Sequence, residues 1–185
     1  MIRTLDILLS AFGLVLLSPV LFLIMVLGWL DTRSPFFLQE RVGRGQRSFL
    51  LVKFRTMRLG TESVASHLIC ASFITPFGHL LRRSKLDELP QLWNVIRGEM
   101  SLVGPRPCLL KQRILVAERH KRGVYEARPG ITGLAQIRGI DMSTPELLAE
   151  TDAQMLRTMN IRNYCFYIYL TVLGKGSGDR VRPKL

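Results

Sequence analysis

The chain is poor in the residues that build metal and redox sites. Its three cysteines, Cys70, Cys108 and Cys165, are odd in number and show no CxxC spacing. That argues against zinc and for a reducing compartment. The three histidines, His67, His79 and His120, form no ligand pair at helical spacing, so surface or packing roles are expected for them. No RNP-type, zinc-finger or helix-turn-helix pattern is present, and nucleic acid is not an expected partner. The GKGSG run at 174–178 is not a Walker motif. Acidic residues are also scarce, 14 against 26 basic ones.

What is there is cationic. The net charge is +12, and it lies past Leu30, where 25 basic and 13 acidic residues give 25 − 13 = +12. Arginine outnumbers lysine by 20 to 6, which favours bidentate recognition of phosphate or carboxylate. A nucleotide, a phospholipid headgroup or a nucleic acid all fit such charge. At 185 residues the chain is long enough for one domain with a real core.

Charge is missing altogether from Ile7 to Leu30, 24 residues between Asp6 and Asp31. As one straight helix this run would measure ~36 Å, enough to cross a bilayer. Ser18-Pro19 sits in its middle, where proline breaks a helix and serine can satisfy a freed carbonyl. Basic residues flank both ends: Arg3 before, then Arg33, Arg41, Arg44 and Arg47 after. Two forms fit, a kinked single-pass anchor and a hairpin that returns to the same side. Hydropathy alone favours the first, and the positive-inside rule favours the second.

Phe49 to Val52 reads as a short buried strand or a helix start, and Lys53 to Met57 as a half-buried strand with a solvated basic face. Residues 58–77 read as a loop or an irregular helical cover. Leu89, Leu92, Trp93 and Ile96 form a helix face, closed by Gly98. A helix is expected over Leu109–His120 and another from Ser143 to about Met159. Arg128 to Gly133 is a rigid glycine-rich turn, whose backbone N–H groups can approach an oxyanion or simply connect two elements. Ile161 to Leu173 is apolar, too short to span, and rich in Tyr and Phe, which suits either a membrane interface or a core element. Residues 174–185 are small and basic, and mobility is expected there.

The densest chemistry lies in Ser84–Pro107. Asp87 and Glu88 follow Arg82, Arg83 and Lys85, and the stretch closes on Pro105-Arg106-Pro107. Carboxylates beside guanidinium groups suit phosphate chemistry, one to attack or hold a metal, the others to hold anionic oxygens. A plainer account is a capping box, Ser84 with Asp87, at a helix start. Helical neighbours point about 100° apart, so Asp87 and Glu88 are expected to do different jobs.

Several of these residues occur together, and in one order, in a known family. They are Arg3 and Asp6, Ser18-Pro19, Pro35-Phe36-Phe37 with Gln39, Arg41 and Gly43, and Lys53-Phe54-Arg55-Thr56-Met57. Then come Leu86-Asp87-Glu88-Leu89-Pro90-Gln91, Asn94-Val95, Gly98 to Pro107, Arg128 to Gly133 and Ala135-Gln136. The chain resembles the bacterial sugar transferases, the monotopic polyprenyl-phosphate phosphoglycosyl transferases of the small class.

The resemblance implies an α-rich α+β, monotopic membrane protein. Residues 1–30 would form a re-entrant helix-break-helix, and 31–185 one cytosolic catalytic domain with 161–173 at the interface. It would sit on the cytoplasmic face of the bacterial inner membrane. Asp87 would be the nucleophile on the β-phosphate of a UDP-sugar, releasing UMP, and polyprenyl phosphate would then accept the phosphosugar. Glu88 would bind Mg²⁺. Arg106 with Pro105 and Pro107 would seat the nucleotide or its phosphates. Arg82 and Arg128 would be further anion contacts, and Lys53 and Arg55 are counted with them. Arg3, Asp6, Ser18 and Pro19 would hold the membrane segment. Membrane lipid is an implied partner, and the oligomeric state, a dimer included, stays open.

The chain departs from the family pattern at Leu134, where Trp is usual, at Arg138-Gly139-Ile140, and at Glu126-Ala127 before Arg128. These leave the donor sugar open, with an N-acetylated amino-sugar as the expectation. Two competing functions remain: direct transfer with both carboxylates on Mg²⁺, and a membrane-anchored basic protein that only binds anions.

Overall fold

The structure is a computed structural model that describes residues 1–60 and 73–176. Expectations for 61–72 and 177–185 lie outside the described residues. The chain is α-rich, with two small two-stranded sheets.

Helices α1 (Ile2–Leu16) and α2 (Ser18–Thr32) are bent by 64° at Leu17. The break falls where Ser18-Pro19 places it. Pro19 brings no N–H to the first turn of α2, and the Ser18 hydroxyl donates to Val15 O at 2.8 Å. Among the described residues no single helix is long and apolar enough to cross a membrane, whereas the bent pair together passes that test by length and composition.

Both ends of the pair are tied to the same body. At the start of α1, Asp6 is 2 % exposed, and its Oδ1 accepts from Ser101 Oγ, Leu102 N and Tyr164 Oη at 2.7–2.9 Å. Arg3 donates to Met100 O, Val95 O and Ile96 O. At the end of α2, Asp31 accepts from Thr75 Oγ1 at 2.7 Å. Along the way the methylene of Gly13 faces Leu92, and that of Gly28 faces Pro35.

Next is an antiparallel hairpin, β1 (Phe36–Val42) and β2 (Ser48–Phe54), registered from Phe36↔Phe54 to Val42↔Ser48. Of the two readings for Phe49–Val52, strand or helix start, the strand is present, with Leu51 buried and Leu50 exposed. It ends at Phe54, so Lys53–Met57 is not a strand of its own, and Lys53 turns towards Glu88 rather than water. Asn94 closes the free edge of β2, donating to Leu50 O and accepting from Val52 N as a neighbouring strand would.

Helix α3 (Pro76–Ser84) begins inside the stretch expected to be a loop or an irregular helical cover. Thr75 caps it, accepting from Gly78 N at 2.9 Å, with Pro76 in the first turn. A Cβ on Gly78 would stand 2.1 Å from Thr56 O, so only glycine lets α3 sit this close to the chain leaving β2. A 3₁₀ turn, Leu86–Glu88, leads into α4 (Gln91–Arg97), which Gly98 ends at φ 85°. Strands β3 (Ser101–Val103) and β4 (Gly130–Thr132) pair in parallel.

Between them, α5 is Arg113–Lys121, four residues shorter at its start than expected, because Gln112 folds back and its Oε1 accepts from Leu109 N. After β4 come α6 (Leu134–Ile137), α7 (Pro145–Arg157) and α8 (Ile161–Val172). The tail segment is a helix with a core face, on which Tyr164 and Tyr167 are buried, while Phe166, Tyr169 and Val172 are exposed along one stripe. Val103, Met155, Tyr164 and Tyr167 form one apolar cluster; Val42, Cys108, Leu115, Ala135, Leu148 and Ala149 form another.

Asp6 is the joint between α1 and the rest. Asp6→Ala strands three donors, each worth about 1–3 kcal/mol when left unpaired. The variant is expected to lose several degrees of melting temperature in detergent, and Tyr164→Phe, which removes one donor cleanly, markedly less. Equal melting of Asp6→Ala and the parent would show that this joint does not hold the fold.

Candidate active site

Asp87 and Glu88 sit on the 3₁₀ turn between α3 and α4. Ser84 does not cap this turn: its hydroxyl donates backwards to Leu80 O and Leu81 O, at the end of α3. The capping-box account therefore fails. Lys85, in the left-handed region at φ 60°, ends α3 and starts the turn. Pro90 stands just before α4 with helical φ, a position that needs no N–H.

The two carboxylates have different surroundings. Asp87 is 9 % exposed. Burial and the charge of Glu88 push its pKa up to about 6, while Lys53, Arg82 and Arg106 pull it down. Glu88 is paired: its Oε1 accepts from Arg106 Nη2 at 2.6 Å and stands 3.5 Å from Lys53 Nζ. Arg82 is aimed by Thr56, whose Oγ1 accepts from its Nε at 2.9 Å. Strand β2, helix α3 and the Pro105–Pro107 turn thus each send one cation to the same two carboxylates.

The Pro105-Arg106-Pro107 turn is held at every carbonyl. Pro105 O accepts from Gly130 N at 2.9 Å, Arg106 O from Arg119 Nη1 at 2.8 Å, and Pro107 O from Arg41 Nη1 at 3.0 Å. Gly104 and Gly130 let the two chains meet; a Cβ on Gly130 would stand 2.0 Å from Gly104 N. The glycines of 128–133 therefore serve chain-to-chain contact. The N–H groups of Gly104 and Gly130 are spent on Thr132 O and Pro105 O, not turned to an oxyanion.

Behind the turn, Arg119 is fully buried and donates through Nε and Nη2 to Asp152 Oδ2 at 3.0 and 2.7 Å. Burial raises the pKa of Asp152, and Arg119 draws it back.

The structure places Asp87, Glu88, Lys53, Arg82 and Arg106, all named from the sequence, in one cluster. Two expected anion contacts lie elsewhere. Arg55 donates to Ser34 O and Phe36 O, bracing the start of β1. Arg128 donates to Gly98 O at 2.8 Å, and its charged neighbours are Arg3, Arg44 and Asp6, not Asp87. Arg41, Arg119 and Asp152 were missed as supports of the turn. Arg41 carries a signal, since it stands in the family-like run; Arg119 and Asp152 carry none, because two surface-type residues on separate helices do not announce a buried pair.

Among the described residues no three His, Cys, Asp or Glu side chains gather as a metal cluster. The residues present still fit Mg²⁺. That ion asks for one or two carboxylates and takes its other oxygens from substrate phosphates and water. Asp87 and Glu88 are two adjacent hard oxygen donors on one turn, and burial, the main cause of the raised Asp87 pKa, leaves that carboxylate short of the water a cation would replace.

Comparison with known proteins adds the lineage. The sequence model of the family described as "Bacterial sugar transferase" matches residues 1–175. The chain is 33% identical to the UDP-galactose-lipid carrier transferase of Erwinia amylovora, over 92% of this chain and 39% of that protein. It is 40% identical to the UDP-glucose:undecaprenyl-phosphate glucose-1-phosphate transferase of Caulobacter vibrioides, over 75% and 54%. It is 37% identical to the UDP-N-acetylgalactosamine-undecaprenyl-phosphate N-acetylgalactosaminephosphotransferase of Aeromonas hydrophila, over 73% and 33%. The chain thus spans between a third and about half the length of these relatives. The match covers the N-terminal helix pair, the Asp87-Glu88 turn and the Pro105–Pro107 turn alike, and by it this chain is a member of the bacterial sugar transferase family.

Proposed function

We propose that the chain transfers a phosphosugar from a UDP-sugar to polyprenyl phosphate, giving polyprenyl-diphosphate-sugar and UMP. The observation that carries this reading is Asp87: a buried carboxylate with a pKa of about 6, ringed by Lys53, Arg82 and Arg106. A group so placed is ionised at neutral pH yet poorly solvated, which makes a weak nucleophile more willing. The three cations around it suit the oxygens of a diphosphate.

In the first step an oxygen of Asp87 bonds to the β-phosphorus. The bond from that phosphorus to the oxygen bridging the two phosphates breaks, and its electron pair leaves with UMP. In the second step an oxygen of the lipid phosphate bonds to the same phosphorus. The bond to Asp87 breaks, and the carboxylate is restored. Glu88, with the donor's phosphate oxygens, is assigned to Mg²⁺, which when bound supplies neutralising charge at the diphosphate. Glu88 also aims Arg106, and the carbonyls held by Arg41 and Arg119 keep that arginine's backbone still. The names of the relatives carry galactose, glucose and N-acetylgalactosamine, so the donor sugar is not assigned.

The helix pair is read as a re-entrant hairpin at the cytoplasmic face of the bacterial inner membrane. Each 15-residue arm is ~22 Å long, shorter than a ~30 Å hydrocarbon core. With a 64° bend and both ends level, the apex would lie ~12 Å deep, inside one leaflet. That both ends bind the same body supports this over a kinked span. A bilayer-bound acceptor then meets the site without leaving the membrane.

Two tests follow. Intact mass after incubation with a panel of UDP-sugars and Mg²⁺, without lipid, is expected to show a phosphosugar adduct on Asp87 that polyprenyl phosphate removes. Asp87→Asn should give neither adduct nor product, a loss of at least about 10³-fold. Product without adduct in the parent protein would favour direct transfer; neither would leave an anion-binding protein.

The second is pH. Burial and Glu88 favour the protonated form of Asp87, so transfer should fall as pH drops through about 6. The same raised pKa disfavours the folded state above it by up to about 3 kcal/mol, and that cost vanishes below the unfolded value near 4. Asp87→Asn is therefore expected to melt higher than the parent at pH 8 and level with it below pH 4. A lower melting point at pH 8 would contradict the burial argument.

A further inference from the structure

Lys85 belongs to none of the assignments above, yet it stands at the start of the Asp87-Glu88 turn. Its backbone lies at φ 60°, ψ 13°, the left-handed cap that glycine usually fills. A lysine there keeps a side chain at a strained position, and such strain gathers at functional sites. The turn closes onto it, Glu88 N donating to Lys85 O at 3.2 Å, so the Lys85 and Glu88 side chains leave one short turn three residues apart. Glu88 and Arg106 are the charges its ammonium senses.

An ammonium has three donors. Among the described residues this one makes one hydrogen bond, to Lys175 O at 2.9 Å. Lys175 lies in a strap, Gly174–Gly176, that reverses after α8 on two glycines with positive φ, 85° and 69°. The strap lies on α6: a Cβ on Gly176 would stand 2.8 Å from Gln136 O. The strap thus rests on the backbone of α6, and it offers Lys85 only a neutral carbonyl.

We propose that Lys85 is a diphosphate-binding residue of this site, and that the Lys175 carbonyl is the acceptor it gives up when a donor diphosphate arrives. A charged phosphate oxygen is the stronger acceptor of the two. Lys53, Arg82 and Arg106 act on Asp87, and Lys85 adds a fourth cation beside Glu88, an excess over two carboxylates that matches a diphosphate better than a single phosphate. The proposal rests on the UDP-sugar reading above. It makes residues 174–176 a competitor of the donor, seated beside α6.

The test is calorimetric binding of UDP and of UMP to the full chain in detergent, which needs no chemistry and is independent of whether an Asp87 adduct forms. Lys85→Gly removes the ammonium and suits the backbone, so the fold should melt no lower. It is expected to weaken UDP by about tenfold and UMP by less than about threefold, and Lys85→Arg should restore most of the UDP affinity. Gly176→Val, which cannot seat on Gln136, should tighten UDP by about two- to fivefold in the parent and leave it unchanged in Lys85→Gly. Equal losses for UDP and UMP, or none, would overturn the assignment of Lys85. Tightening by Gly176→Val that persists in Lys85→Gly, or no tightening at all, would overturn the exchange with Lys175.

Discussion

The structure is arranged around one awkward charge, the carboxylate of Asp87, buried yet kept able to ionise. Buried charge survives only with partners. Here the partners come from elements distant in sequence: Lys53 at the end of β2, Arg82 near the end of α3, Arg106 after β3. None of these elements needs the others for its own backbone hydrogen bonds. They need one another because the cations must converge. Thr56 aiming Arg82, Glu88 aiming Arg106 and Arg119 fixing the Arg106 carbonyl are the second layer of that constraint.

The N-terminal helix enters the same arrangement from behind. Arg3 holds carbonyls at the end of α4, the helix that follows Glu88. Asp6 holds Ser101 and Leu102 in β3, the strand that runs into the Arg106 turn. One turn of α1 thus grips both chain segments that carry the site. The part of the molecule assigned to the membrane and the part assigned to chemistry share a rigid joint, not a linker.

Much of this was legible. The helix break at Ser18-Pro19, a strand over Phe49–Val52 as one of two readings, the Gly98 stop and the Asp87-Glu88-Arg106 grouping follow from local rules or from the run of motifs; the partner strand Phe36–Val42 does not. What was not legible has a common cause. Arg55 and Arg128 look the same in sequence as Arg82 and Arg106, since a guanidinium with a long stem serves a backbone carbonyl as readily as a phosphate. Only the packing of Ser34 and Gly98 decides which it does. The start of α3 hid within a stretch without clear periodicity, and its signal, Thr75-Pro76, needed Asp31 from α2 to be complete. Ser84 looked like a cap because spacing does not say on which side of Lys85 the helix lies.

The joint at Asp6 also bears on how the chain is made. Its partners stand 95, 96 and 158 positions later in sequence. Contacts of such separation close late. α1 is made long before Ser101 exists, and Tyr164 is made later still. During that interval the carboxylate of Asp6 and the guanidinium of Arg3 lack the partners that later hold them, and such charges stay solvated. The final fold then buries a carboxylate that was solvated until its partners were made.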